Sequence, residues 1–255
     1  MNNVRTVSDT KRAFYGAHTR PISALYRRVV EELMVEMHLL LVNVNFAYDP
    51  VYALGVVSVF DRFMEGYRPE SDQQPIYNAI ISAVEGDPAQ YRSDAESAQN
   101  AAKEVPSIEA FKSLIADAKN GGGGVLKDTF HKVISNDKFK YSRLFTTGLY
   151  NIIEAVDATV LADKEKREAL LTETAETFGF NSELLIKDVE LYRGNLEKMA
   201  QAQEVMKDMI EAEKKKQAQR EKDKAERAAK KEAEAKAVAE KASADSSDSA
   251  GQSAE

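Results

Sequence analysis

A continuous apolar stretch from Arg20 to Asp49, RPISALYRRVVEELMVEMHLLLVNVNFAYD, most constrains how this chain can fold. Ile22, Tyr26, Val29, Leu33, Met37, Leu40 and Val44 recur at steps of three and four residues, the spacing of one face of an α-helix. Pro21 suits a first helical turn, where a missing N–H costs nothing, and Thr19 can supply a capping hydroxyl. Beyond Met34, Val35, Leu39, Leu41 and Val42 add apolar side chains on the remaining sides. A helix apolar all round belongs in the middle of a bundle, so this element is expected to be central and wrapped by its neighbours.

Punctuation along the chain sets out further helices. Ser8 can cap a short one ending near Gly16. Asp49-Pro50 and Asp87-Pro88 are cap-then-proline pairs that each open a helix. The first, VYALGVVSVFDRFMEGY, is strongly apolar and closes at Gly66. The second, AQYRSDAESAQNAAKEV, is alanine-rich and polar and reads as a surface helix contributing little to the core. Asp72, Ser107 and Asp163 can cap helices over Ile76–Val84, Ile108–Ala118 and Leu170–Phe178, with Gly179 ending the last. VLKDTFHKVI and Tyr141 to Val160 supply two more. Four glycines, Gly121 to Gly124, predict a surface loop.

From Leu185 the pattern changes. Leu185, Val189, Tyr192, Leu196, Met199, Gln203, Met206 and Ile210 alternate by four and three, a heptad seam with one polar interruption. It can close on the chain's own body or on a second copy. Past Ile210 the sequence remains helix-forming but loses its apolar positions: residues 211–241 hold 11 basic and 8 acidic side chains, against 24 and 31 for residues 1–210. The fold class is therefore all-α. A multi-helix globular bundle over residues 1–180 is followed by a long C-terminal helix of partial coiled-coil character over 181–241, with its seam at 185–210. Residues 242–255 form a tail too polar to order itself.

Composition removes whole classes of chemistry. There is no cysteine, hence no disulfide, thiolate metal site or cysteine nucleophile. A net charge of −7 argues against a nucleic-acid partner. No apolar run reaches the roughly 20 residues of a membrane span, and the opening residues lack a signal peptide's apolar region. The carboxylates Glu31, Glu32 and Glu36 precede His38 without the Glu-x-x-His spacing of di-metal bundles, because Val35 stands three before it. Glu36, at the edge of the apolar stripe, is expected to accept a hydrogen bond or pair with an arginine. Arg27–Glu31 and Arg28–Glu32 stand at helical pairing distance. The glycine run is not followed by Lys-Ser/Thr and is no P-loop. His18, His38 and His131 lack serine or acidic partners at catalytic spacing and read as structural. No catalytic, metal or cofactor site is assigned, and Met199, Met206 and Ile210 are the candidate partner-binding residues.

The words VRTVSDTKRAFY, HTRPI, YRRVVEELMVEMHLL, YDPVYALGVV and FDRFMEGY resemble the thylakoid formation family, the photosystem II biogenesis proteins of cyanobacteria and chloroplasts. The resemblance is densest from Val4 to Glu70 and extends to about Met209. With no transit peptide in view, the chain resembles the cyanobacterial members. The resemblance implies an all-helical, non-enzymatic protein on the cytoplasmic side, peripherally associated with the thylakoid membrane. Its implied partners are an FtsH-type membrane protease and photosystem II assembly or repair intermediates. The alternative is a peripheral organiser that binds anionic thylakoid lipids directly.

Overall fold

In the computed structural model, backbone is described for residues 5–248 and side chains for residues 5–227. Among the described residues there are helices and connecting loops but no strand. The helices are α1 (Val7–Ala17), α2 (Ala24–Leu41), α3 (Pro50–Phe63), α4 (Gln73–Ala83), α5 (Pro88–Lys103), α6 (Ile108–Asp117), α7 (Val125–Ile134), α8 (Arg143–Ala162), α9 (Lys164–Phe178) and α10 (Ser182–Asp248). Of the tail, residues 249–255 lie outside the described residues. The chain divides into two units, Met1–Met199 and Ala200–Glu255, with the boundary inside α10.

Local sequence accounts for most helix starts. Asp49 accepts from the Tyr52 N–H at 2.8 Å ahead of Pro50, and Asp87 accepts from Ala89 at 2.8 Å ahead of Pro88. Ser107, Ser142 and Asp163 likewise accept from Ala110, Phe145 and Lys166. Gly179 closes α9 in the left-handed conformation that glycine adopts without a Cβ clash. Three caps differ from expectation. Thr19 does not cap α2, whose N-cap position is Ser23 without a side-chain bond. Thr6, not Ser8, caps α1 through a reciprocal box with Asp9. Asp72 makes no cap bond; it lies buried in a 3₁₀ turn and pairs with Arg20.

The expected central helix is shorter and less central than its sequence suggests. Helix α2 begins after Ser23, leaving Pro21 in the preceding extended segment, and it stops at Leu41. The side-chain carbonyl of Asn43 accepts from the Asn45 N–H at 3.0 Å, an Asx turn that diverts the backbone from the helix. Tyr26, Leu33, Met37 and Leu40 are buried as the periodicity requires, but Leu39, Leu41, Val42 and Val44 face outward.

The centre is α3 with α8. Every residue from Val51 to Val57 and from Leu144 to Ile153 is buried, which is burial around the whole circumference of each helix. Gly55 and Gly148 meet where the two backbones come together. The helices run in the same direction, because Arg62, about two turns past Gly55, pairs with Glu154, about two turns past Gly148. Helix α8 bends at Asp157, whose carboxylate accepts from the Thr159 N–H at 2.9 Å and caps the final turn. Helix α5 also corrects its expected role. Tyr91, Ala95, Ala98 and Ala102 are buried and α5 packs on both α3 and α8, because a row of alanines allows close approach.

Candidate interaction surfaces

The C-terminal seam splits between the two units. Leu185, Val189, Tyr192 and Met199 are buried in the first, where the Tyr192 ring lies 6.1 Å from Phe63 and 5.5 Å from Tyr150. Met199, only 6% exposed, is thus a core residue of the bundle. In the second unit Met206 is half-buried and Ile210 is 47% exposed, one turn apart on the same helix. Val205 and Met209 stand beside them, Met209 being 68% exposed. Both were outside the seam read from the sequence, although they repeat its four-residue step one position earlier. Together these four residues make an apolar band on a helix whose described side chains from Glu211 to Arg227 are all exposed.

A polar network links three helices of the first unit. Arg143 donates to Glu36 at 3.0 Å, as the position of Glu36 suggested. Nearby, the Tyr141 hydroxyl donates to Asp188 at 2.7 Å and accepts from the Thr146 hydroxyl at 2.9 Å. Burial raises the Glu36 pKa, with the Arg143 guanidinium opposing the shift. Each group is matched to another, and none abuts a nucleophile. Arg28 pairs with Glu32 at 2.8 Å, but Glu31 takes Lys11 at 2.9 Å and the Tyr15 hydroxyl at 2.7 Å instead of Arg27. Those two donors hold its carboxyl below the usual range.

His38 shares a buried 2.8 Å hydrogen bond with Thr10, and His131 donates to the Ala118 carbonyl at 2.7 Å. Neither is paired with a carboxylate in a catalytic arrangement. Among the described residues no three His, Asp or Glu side chains converge as a metal site would require. In the glycine loop the Gly123 N–H donates to Asp128 at 2.8 Å, so the acceptor it meets is the chain's own carboxylate.

Sequence reasoning missed a second surface, the turn between α2 and α3. Val44 is 96% exposed and Leu39 56%, with Leu41, Val42 and Tyr48 also exposed. Apolar residues in a strong periodic run read as core. The signal against that reading was the pair Asn43 and Asn45, which break the helix before its apolar run ends.

Comparison with known proteins places this geometry in context. The sequence signature described as Thylakoid formation protein matches residues 6–221. Protein Thf1 of Crocosphaera subtropica is 51% identical over 218 residues, covering 86% of this chain and 89% of that relative. Protein Thf1 of Nostoc punctiforme is 50% identical over 220 residues, covering 86% and 94%. A solved structure of Psb29 superposes with a TM-score of 0.65 at 41% identity, covering 77% of this chain and 98% of that one.

Proposed function

The chain belongs to the thylakoid formation protein family, and from that membership we propose a non-enzymatic accessory role in thylakoid biogenesis and in photosystem II assembly and repair. The protein works by holding other proteins at the thylakoid, its chief partner being an FtsH-type membrane protease that it binds and stabilises. Photosystem II assembly or repair intermediates are the second class of partner. It acts from the cytoplasmic side as a peripheral protein; no described helix is long and apolar enough to cross a membrane.

The observation that carries this reading is the apolar band Val205, Met206, Met209 and Ile210 within an otherwise charged helix. Side chains at i, i+1, i+4 and i+5 form one stripe, which suits docking in a hydrophobic groove of a partner helix bundle. Methionine adapts its shape to such a groove at low cost. The flanking charges keep the helix in solution and set its approach. In a pull-down of the FtsH-type protease from solubilised thylakoids, Met209→Asp with Ile210→Asp should abolish capture, as should removal of residues 200–255. Undiminished capture by both variants would refute the assignment.

A second reading, direct binding of anionic thylakoid lipid through the same helix, is favoured by the exposed run Lys214, Lys215 and Lys216. Attraction of that kind is screened by salt, so it predicts vesicle binding that disappears at high ionic strength and on removal of residues 200–255.

A further inference from the structure

The parallel course of α3 and α8 puts their N-termini at one end of the bundle, and with them the loops that lead in: the α2–α3 turn and the α7–α8 loop. Three contacts agree. Arg143 at the start of α8 reaches Glu36 near the end of α2 at 3.0 Å. Helix α7, which leads into the second loop, packs on α3. The Phe46 ring lies 4.9 Å from Tyr52 in the first turn of α3, which fixes the turn over that end.

The two loops differ in chemistry. Residues 39–48, LLLVNVNFAY, contain no charged side chain, and they hold Val44, the most exposed of the large apolar residues described. Four of the backbone donors of the turn are already matched. Val42 N–H donates to His38, Asn43 to Leu40 and Phe46 to Asn43, all at carbonyls, while Asn45 donates to the Asn43 side chain. These internal bonds and the absence of charge lower the cost of taking the turn out of water. Tyr48 closes the stretch, with its hydroxyl on Asp94 at 2.7 Å. Residues 132–143 are the opposite: four basic side chains against one acid, Asp137, with Lys138 and Lys140 both exposed.

An apolar, uncharged turn at the same end of the bundle as exposed lysines matches the outer layer of an anionic bilayer, where acyl chains lie just beneath phosphate headgroups. We propose that this end of the bundle is a membrane-docking surface. Leu41, Val42 and Val44 enter the headgroup–acyl boundary, and Lys138 and Lys140 stay with the phosphates. It is a different surface from the helix of residues 200–248, and it needs no protein partner. It rests on the peripheral thylakoid location proposed above.

Flotation of the purified full-length protein with phosphatidylcholine vesicles, with and without phosphatidylglycerol, tests the assignment. Binding is expected with phosphatidylglycerol and should persist in part at high salt, because the apolar contribution is not screened. Val44→Asp, at a position too exposed to disturb the fold, should lower the bound fraction on the order of tenfold at both salt concentrations. Lys138→Glu with Lys140→Glu should lower it at low salt only. A chain lacking residues 200–255 should still float. Failure of the wild type to bind, or binding that survives Val44→Asp and vanishes with residues 200–255, would overturn the surface. So would loss of protease capture in Val44→Asp with lipid binding intact, which would make the turn a protein contact. Protease capture that depends on Met209 and Ile210 is read separately, so the docking surface and the proposed partner can fail independently.

Discussion

Gly55 and Gly148 face each other so closely that neither tolerates a side chain: a Cβ on Gly55 would lie 1.8 Å from the Leu144 carbonyl oxygen, and one on Gly148 1.9 Å from that of Val51. Each obstructing atom is backbone, so no rotamer change relieves the clash. The helices must separate, and everything packed on both of them moves too.

Gly148→Ala should therefore destabilise the bundle by about 3 kcal/mol, the upper range for overpacking a core. At this size that lowers the melting temperature by about 10 °C. Gly194→Ala is the control. It lies inside α10 with nothing within 4 Å of its Cβ position, and it should gain up to about 1 kcal/mol from helix propensity. Thermal denaturation of the two variants should move in opposite directions.

Asp49 ties stability to pH. Burial pushes its carboxyl from an ordinary 3.8 to about 6, against the hydrogen bonds from Tyr52 and Val51 that favour the ionised form. A carboxyl whose pKa is raised on folding contributes stability below its unfolded pKa, and that contribution is lost as pH rises through 6. Asp49→Asn keeps a capping oxygen without the charge. It should exceed the wild type by about 2–3 kcal/mol at pH 8 in denaturant titrations, with the difference shrinking toward zero near pH 4.

Glu85 holds a left-handed backbone at φ 62°, just after α4, where an L side chain crowds the carbonyl. Glu85→Gly removes that cost and also the exposed 2.6 Å pairing with Arg5, which is worth little at the surface. A gain of about 0.5–1 kcal/mol is expected, measured as a shift in the denaturant midpoint at unchanged slope.

The division of the α10 seam gives a comparison between two methionines. Met199→Ala should cost about 2–4 kcal/mol through the cavity left in the bundle core. Met209→Ala, on the exposed band, should stay within about 0.5 kcal/mol of wild type. Equal effects on the unfolding of the bundle would contradict the placement of Met199.

Much of the candidate site was legible in part. The heptad spacing picked out Met206 and Ile210, and the loss of apolar positions after Ile210 marked the exposed segment. It could not say that Met199 is occupied by the bundle itself, because spacing defines a face and not what covers it. The α2–α3 turn was hidden for the same reason. Leu39, Leu41, Val42 and Val44 continue an apolar run, and only the folded backbone, turned aside at Asn43, leaves them outside.

What the sequence determined by itself was local: Asp49-Pro50, Asp87-Pro88, Ser107 and Gly179 mark helix ends because capping bonds and backbone restrictions act within a few residues. The tertiary structure decided which helix is central, that alanine-rich α5 belongs in the core, and that Glu31 takes Lys11 over Arg27. Those outcomes depend on distances between segments far apart in the chain. The first of them follows from how closely backbones can approach at Gly55 and Gly148, a property that no single stretch of sequence carries.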